Sequence, residues 1–594
     1  MSGRLRVGSA TTRRRFLTTL ASATAAAGLG NIAPPAFSRS PQRPIVTHGV
    51  QSGDVSTDSG MVWARADRPA RMLIEAATTD SFKDICHASF VDALPETDFT
   101  AKALIEDLPA GQQIFYRLRF QDLSAAQAIS EPIIGQFRTA PTDRCSISFV
   151  WSGDTAGQGW GIDPARGGMR TYATMLRNCP DFFVHCGDGI YADCTVPTQQ
   201  KLPNGEIWRN IVTEEKSRVA TTLADYRGNY KYNLLDANLR DFNAAVPIFA
   251  QWDNHEVMED WWPGEAFDRR GYGVKSALLL AARASRAFHE YMPLRYTPAE
   301  PGRVYRKISY GPLLDLFLLD MRSYRGPNEA HSETQYGPNT QLLGPAQLAW
   351  FKRELTRSTA TWKFIASDTP LGTIIAHSPS SRMPVGRGIE IADLLSFIRR
   401  AGVRNTIWIT ADLHYTAAHY FDPNNAAFQD FDPFWEFVSG PIHAGTWTPC
   451  ALDRSFGPRI VFQNAASHEQ GDNLAPCFGL QFFGHVAIDG QTGTLTVTLK
   501  DVGDRALWTT SIEPQSGQNA RGHTSPLPDK TYRRLLVTGF EPLSRIRHRA
   551  VDDLSATANK VPCSTEDGRL KWRYGLAPIR PAGGSSQRLG PLRP

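Results

Sequence analysis

The chain has 594 residues, 41% hydrophobic and 21% charged, with 48 Gly, 40 Pro and 14 Trp. That length exceeds one hydrophobic core, so two or more domains are expected. The composition excludes a coiled coil, a collagen and a wholly disordered chain, and the lack of a run of roughly 18 strongly apolar residues excludes a multi-span membrane protein. The net charge of +5 is unevenly spread: residues 1–43 hold seven Arg and no acid, and 514–594 hold fourteen Lys and Arg against six acids, which leaves −10 on the body 44–513. An acidic body is a poor electrostatic footprint for nucleic acid, so no nucleic-acid partner is expected.

The N-terminus reads TTRRRFLTTLASATAAAGLG. Arg13 and Arg14 precede Phe16, Leu17 and a mildly apolar, Ala-rich stretch too short to span a membrane. This resembles a twin-arginine export signal, with Thr12 where Ser is usual, and predicts a removable signal peptide over 1–38. The resemblance implies passage through the twin-arginine translocation machinery, already folded, to the periplasm or outside, with no transmembrane segment in the mature chain. Eight cysteines permit disulfides in an exported chain. The spacing of Cys179, Cys186 and Cys194 fits no zinc pattern, and no pairing is assigned.

Residues 44–141 alternate in short runs such as GMVWARA, RMLIEAAT and QIFYRLRF, punctuated by turns at a spacing of roughly 8–12 residues. They predict a small all-β sandwich of the fibronectin or immunoglobulin kind. From 145 the pattern changes. CSISFVWSGD, PDFFVHCGD, VPIFAQWDNHE, LLDLFLLDMR, TWKFIASDTP and NTIWITADLH are each an apolar run ending in polar, mostly acidic residues. Runs without alternation suit strands buried on both faces, and layered α/β folds build sites where such strands end. One such ending is an ordinary helix cap or strand stop, but six predict a catalytic α/β domain over about 145–512. Residues 513–594 read as a basic, partly disordered extension.

The endings supply Asp154, Asp188, Tyr191, Asn254, Asp412 and His414, together with His255. Oxygen donors dominate, which suits Ca, Mg, Mn or ferric iron. A carboxylate such as Asp188 can bridge two cations about 3.5–4 Å apart, as in two-metal hydrolytic sites. Taken in order, CGDGIYAD, WDNHEV, LLDMRSYR and ITADLHYTA resemble the calcineurin-like metallophosphoesterase superfamily, and within it the PhoD-type alkaline phosphatases; HGVQSGDVSTDSGMVWARA resembles that family's N-terminal motif. The resemblance runs from about 44 to 512 and implies a four-layer α/β/β/α catalytic domain after the sandwich. It also implies an exported phosphatase that hydrolyses small phosphate monoesters, and in some relatives diesters, with a metal-activated hydroxide.

The same resemblance assigns roles. Asp188 is implied as the metal bridge, Tyr191 as a phenolate on ferric iron, and Asn254, Asp412 and His414 as further ligands. His255 is implied as the acid for the leaving oxygen, oriented by Glu256 or Asp253. Arg227 and Arg322 are candidates to hold phosphate oxygens, because guanidinium geometry suits them. Asp154 departs from the pattern: the iron- and calcium-dependent PhoD type has Cys there, and Asp is closer to purple acid phosphatases. Fe(III) with Ca2+ is the first expectation for the cofactor, with Mn2+, Mg2+ or Zn2+ as alternatives. The further metal-binding His expected between 255 and 414 is not evident; Asp368 and His377 are the nearest candidates. His419, His443 and His468 default to structural roles. Two rival readings stand: a phosphodiesterase or phospholipase-D-like enzyme on the same site, and a non-catalytic, metal-bearing surface-binding module.

Overall fold

The computed structural model describes residues 43–515, except 270, 329–331 and 375–382. The expected signal peptide, His377 and most of the expected C-terminal extension therefore lie outside the described residues. Seven strands come first: β1 (Val46–Gly53), β2 (Gly60–Ala66), β3 (Ala70–Ala77), β4 (Ile85–Ala93), β5 (Thr100–Ile105), β6 (Gln113–Asp122) and β7 (Ile133–Arg138). β3, β4, β6 and β7 form a four-stranded antiparallel sheet in the order β4-β3-β6-β7. The other three strands pair with each other and continue into a larger sheet. They join it by one parallel bridge, Gly53 to Ile248. The N-terminal region thus shares a sheet with the catalytic part of the chain.

The larger sheet is completed by β8 (Ile147–Ser152), β9 (Phe182–Cys186), β12 (Ile248–Gln251), β20 (Phe482–Ile488), β21 (Leu495–Asp501) and β22 (Ala506–Ile512). Its nine strands run β22-β21-β20-β8-β9-β12-β1-β2-β5. A two-stranded hairpin, β10 (Gln199–Lys201) and β11 (Ile207–Arg209), lies between β9 and β12 in the chain. The second main sheet has seven strands: β13 (Arg306–Ser309), β14 (Leu314–Leu318), β15 (Trp362–Ala366), β16 (Thr406–Thr410), β17 (Thr416–Phe421), β18 (Phe434–Val438) and β19 (Pro458–Asn464), ordered β13-β14-β15-β16-β18-β17-β19. The helices among the described residues are, in chain order, α1 (Arg170–Arg177), α2 (Leu223–Asn233), α3 (Ala237–Ala245), α4 (Ala277–Tyr291), α5 (Gly344–Arg357), α6 (Leu371–Ile374) and α7 (Gly388–Arg400).

The period of two in these strands explains the layering. Phe149 and Trp151 of β8, Val184 of β9, Leu316 of β14, Phe364 of β15 and Ile409 of β16 belong to one core between the sheets. Phe149 stacks on Phe182 and meets Phe364 edge-on, with ring centroids 4.7 and 5.2 Å apart. The intervening residues point outward: Val150, Phe183 and Ala250 pack on Tyr172 of α1, Phe242 of α3 and Leu280 of α4. Phe317, Ile365 and Trp408 pack on Phe351 of α5 and Leu394 of α7. The result is the expected α/β/β/α stack, in which each central strand is apolar on both faces because both faces are covered.

The cores fix where the strands end. β8, β9 and β12 are mutually parallel and in register, so Ser152 pairs with His185 and Cys186 with Gln251. β14, β15 and β16 are likewise parallel, pairing Leu318 with Ala366 and Ala366 with Ile409. All six apolar runs therefore stop on the same edge. The two sheets are stapled there by the loop after β18: Ile442 N donates to Gly153 O at 2.8 Å, and His443 N to Asp154 O at 3.0 Å. Among the described residues no helix is long and apolar enough to cross a membrane, and no disulfide joins any two of the seven described cysteines.

Candidate metal centre

Asp154, Asp188, Asp412 and His414 follow β8, β9 and β16, and each has a left-handed backbone, with φ of 67°, 53°, 64° and 56°. The chain turns sharply after each strand, and the side chain is left at the sheet edge. Asp and Asn tolerate this conformation better than most residues, and His is also enriched there. Asp154, Asp188 and His414 are buried and offer ligand atoms within 4.8 Å of one another. Tyr191 joins them: its hydroxyl lies 2.9 Å from His414 Nε2 and 3.4 Å from Asp154 Oδ1. His414 Nδ1 is 2.6 Å from the Gly445 carbonyl, an arrangement that presents Nε2 to the cluster.

Asp253 and Asn254 follow β12, and Asp412, whose charge acts on Asp253, is half-buried and accepts from the Thr369 hydroxyl at 2.7 Å. Asp154 Oδ2, Asp188 Oδ2 and Asp253 Oδ2 are buried with no hydrogen-bond partner. Gly440 leaves room at one of them, since a Cβ there would strike Asp154 Oδ2. Burial, with Asp412 and Asp253 nearby, pushes Asp154 well above the usual carboxylate range. Burial raises Asp188 in the same way despite the attraction of His255. Burial and Asp412 lift Asp253 to about 7, against the pull of Arg322. Several buried carboxylates with unpartnered oxygens outnumber the cationic groups beside them, Arg322 and His255, and hard cations fit the charge left over. The donor set of carboxylates, one phenol, one amide and one imidazole satisfies the same test.

His255 is held differently from the expectation. Its Nδ1 lies 2.8 and 2.9 Å from the two oxygens of Asp193, and its Nε2 is 3.5 Å from Glu259 Oε2. Burial alone lowers its pKa, but Asp193, Asp188 and Glu259 outweigh that and raise it well above the ordinary value. Neither Glu256 nor Asp253 orients the ring. Glu256 instead accepts from the backbone N–H groups of Asp188, Gly189 and Asp253 at 3.0, 2.6 and 2.8 Å, tying the ends of β9 and β12 together. Asp253 pairs with Arg322 at 2.5 Å. The ring of His255 also stacks on Tyr191, 4.3 Å between centroids.

Arg322 reaches the centre: it is buried, with Nη2 3.4 Å from Asn254 Oδ1. The structure does not bring Arg227 there. Its guanidinium is engaged by both carboxylate oxygens of Glu290, at 2.6 and 2.7 Å, and by the Glu96 carbonyl. Asp368 is buried at the end of β15, but its oxygens accept from Met321 N and Thr369 N, at 2.9 and 3.0 Å. His419 and His443 are buried partners of Glu436 and the Gly161 carbonyl. Sequence reading missed Asp193 and Glu259; the one available signal was the acid two residues beyond Tyr191.

The family description "PhoD-like phosphatase" matches residues 149–499, and its N-terminal domain matches residues 31–141. Alkaline phosphatase D of Bacillus subtilis (strain 168) is 27% identical over 394 residues. That alignment takes in 62% of this chain and 64% of the relative, just under two thirds of its length. A solved structure of PhoD shares the fold with a TM-score of 0.59 at 20% identity, covering 82% of this chain and 94% of that one. A purple acid phosphatase from yellow lupin (Lupinus luteus) seeds aligns with a TM-score of 0.48 at 12% identity, over 80% of this chain and 75% of that one. On the match across both of its regions, the chain belongs to the PhoD-like phosphatase family.

Proposed function

We propose that this protein is an exported, metal-dependent phosphatase that hydrolyses phosphate monoesters. The observation that carries the reading is the buried set Asp154, Asp188, Tyr191 and His414, with unpartnered carboxylate oxygens, beside a histidine held by the Asp193 carboxylate. In this reading Asp154, Asp188, Tyr191 and His414 would hold one cation, and Asn254 and Asp412 a second, with Asp188 placed to serve both. Fe(III) with Ca2+ is the leading pair, ahead of Mn2+, Mg2+ or Zn2+. When bound, such cations supply a water of lowered pKa and positive charge against the phosphate oxygens.

The chain's own groups do the rest. His255 gives its Nε2 proton to the leaving oxygen, and Asp193 holds the ring in place and stabilises its charge. Arg322 neutralises Asp253 and steadies the Asn254 carboxamide, which makes it a positioning residue in this scheme. Arg227 has no part in it. We further place the signal peptide at 1–38, the sandwich at 44–141, the catalytic domain at 145–512 and the extension at 513–594. Export through the twin-arginine route predicts that Arg13→Lys with Arg14→Lys leaves precursor in the cytoplasm.

The test pairs two measurements on exported protein. Elemental analysis gives Fe, Ca, Mn and Zn per chain, and turnover is compared for an aryl monoester and the matching bis-aryl diester. Near-stoichiometric metal with faster monoester turnover supports the reading. Preference for the diester replaces monoesterase by phosphodiesterase. A folded, metal-reconstituted sample that turns over neither refutes it.

A further inference from the structure

Beyond the cation ligands, three arginines gather on the loop after β14 and at the head of α7: Arg322, Arg325 and Arg387. Arg322 is paired with Asp253. Arg325 and Arg387 make no ion pair with a carboxylate among the described residues. Arg325 Nη2 donates to Asn328 Oδ1 at 2.8 Å, and Arg387 Nη2 donates to the same oxygen at 2.7 Å. Arg387 also reaches the Gly326 and Pro327 carbonyls, at 2.8 and 2.9 Å. The Nε of each guanidinium is buried with no partner. Two cations thus share one neutral amide oxygen where a carboxylate is the ordinary solution.

The surroundings aggravate the imbalance. Arg387 is buried and Arg325 half-buried. Burial and the charges of Arg322 and Arg387 push Arg325 well below its ordinary value, and burial with Arg322 pushes Arg387 down to about 10. Arginine keeps its proton at working pH, so an added anion, and not ionisation, would relieve the imbalance. Asp260, 3.4 Å from Arg322, and Asp368 offset part of it. The Asp260 side chain is 43% exposed, so the acid beside Arg322 meets solvent. At the other end Arg322 touches Asp253 and Asn254, on the rim of the metal centre.

Resting on the phosphatase reading, we propose that Arg325 and Arg387 form an oxyanion subsite beside the centre that binds a second phosphoryl group. Planar guanidiniums with spare N–H groups are the side chains best shaped for phosphoryl oxygens. The group is carried by the substrate, on the part not being cleaved, or is free inorganic phosphate.

The test compares an aryl phosphate with the same ester bearing a non-scissile phosphonate, using the metal-loaded full chain. A substrate-borne group predicts a higher kcat/KM for the phosphonate ester. Arg325→Gln and Arg387→Lys then each cost that ester at least tenfold more than they cost the plain ester, mainly in KM, and Arg325→Lys restores much of the difference. A free-phosphate site instead shows no phosphonate advantage, but inhibition by inorganic phosphate that is non-competitive and weakened in both variants. Equal losses on both esters with unchanged phosphate inhibition, as a merely structural role predicts, overturn the proposal. So does no effect on any of them. If the wild type cleaves neither ester, the proposed function fails by itself. Calorimetry with inorganic phosphate then decides the subsite: binding lost in the double variant supports it, and binding retained refutes it.

Discussion

Asp193 offers the sharpest test of how the site works. Asp193→Asn keeps size and shape but removes the charge 2.8 Å from His255 Nδ1. A charge-assisted hydrogen bond of this kind is worth about 1.5–3 kcal/mol, or roughly 10- to 150-fold in rate if it is felt mainly in the transition state. Glu259, 3.5 Å from Nε2, still holds part of the imidazolium charge, so the lower half of that range is expected. If His255 donates the proton, as proposed, the damage depends on the leaving group. An alkyl or plain phenyl phosphate, which needs the proton, loses about 10- to 50-fold in kcat, and a dinitrophenyl phosphate loses about threefold or less. The sign with pH is also fixed: His255 is held above its ordinary value, so removing Asp193 moves the alkaline limb of kcat/KM to lower pH. The assay is a leaving-group series at constant metal content, with elemental analysis of each sample. An equal loss across the series, or no movement of the alkaline limb, would refute the proton-donor argument for His255.

The same geometry carries other expectations. In chelated protein, Asp253 and Glu256 are raised to about 7 and about 8, so the folded state binds more protons than the unfolded one. Stability then falls as pH rises from about 6.5 to about 8.5, a window above the half-buried His48 and the buried His185, which are pushed down to about 4. Chelated Asp188→Asn has one acid fewer, so its Tm falls less over that window; thermal melts of both proteins check this. Arg227→Gln leaves aryl phosphate turnover within about twofold, yet costs about 1–2 kcal/mol in denaturant unfolding, since Glu290 keeps Arg286 at 2.9 Å. Asp154→Cys replaces a hard oxygen by a thiolate, and elemental analysis of the purified variant shows less Ca, Mg or Mn and more iron or zinc.

The legible parts of this protein were those written in local pattern. Runs such as PDFFVHCGD announce a strand with both faces covered and a polar end, and register between parallel neighbours then aligns those ends without further information. Contacts that depend on where a turn sends a side chain were not legible. Asp193 reaches His255 across 62 residues, and nothing in the spacing distinguishes it from Glu256, which lies next to His255 in sequence but faces backbone amides. Arg227 misled because a motif-like DYRGNY sits on a helix whose partner, Glu290, is on α4. The continuity of the N-terminal strands with the main sheet rests on the single Gly53–Ile248 bridge, a long-range pairing that alternation cannot reveal.

The left-handed backbone at Asp154, Asp188, Asp412 and His414 also limits how this site can evolve. A candidate replacement must suit the ion and also accept a positive φ. Among metal-binding side chains Asp, Asn and His meet the second condition most readily, and for most other residues it costs about 1–2 kcal/mol. Drift among oxygen-rich cations is open to such a backbone through small changes of charge. Entry of a thiolate at position 154 requires either that strain or a reshaped turn, so the path to a softer first ligand runs through the main chain before it runs through the metal.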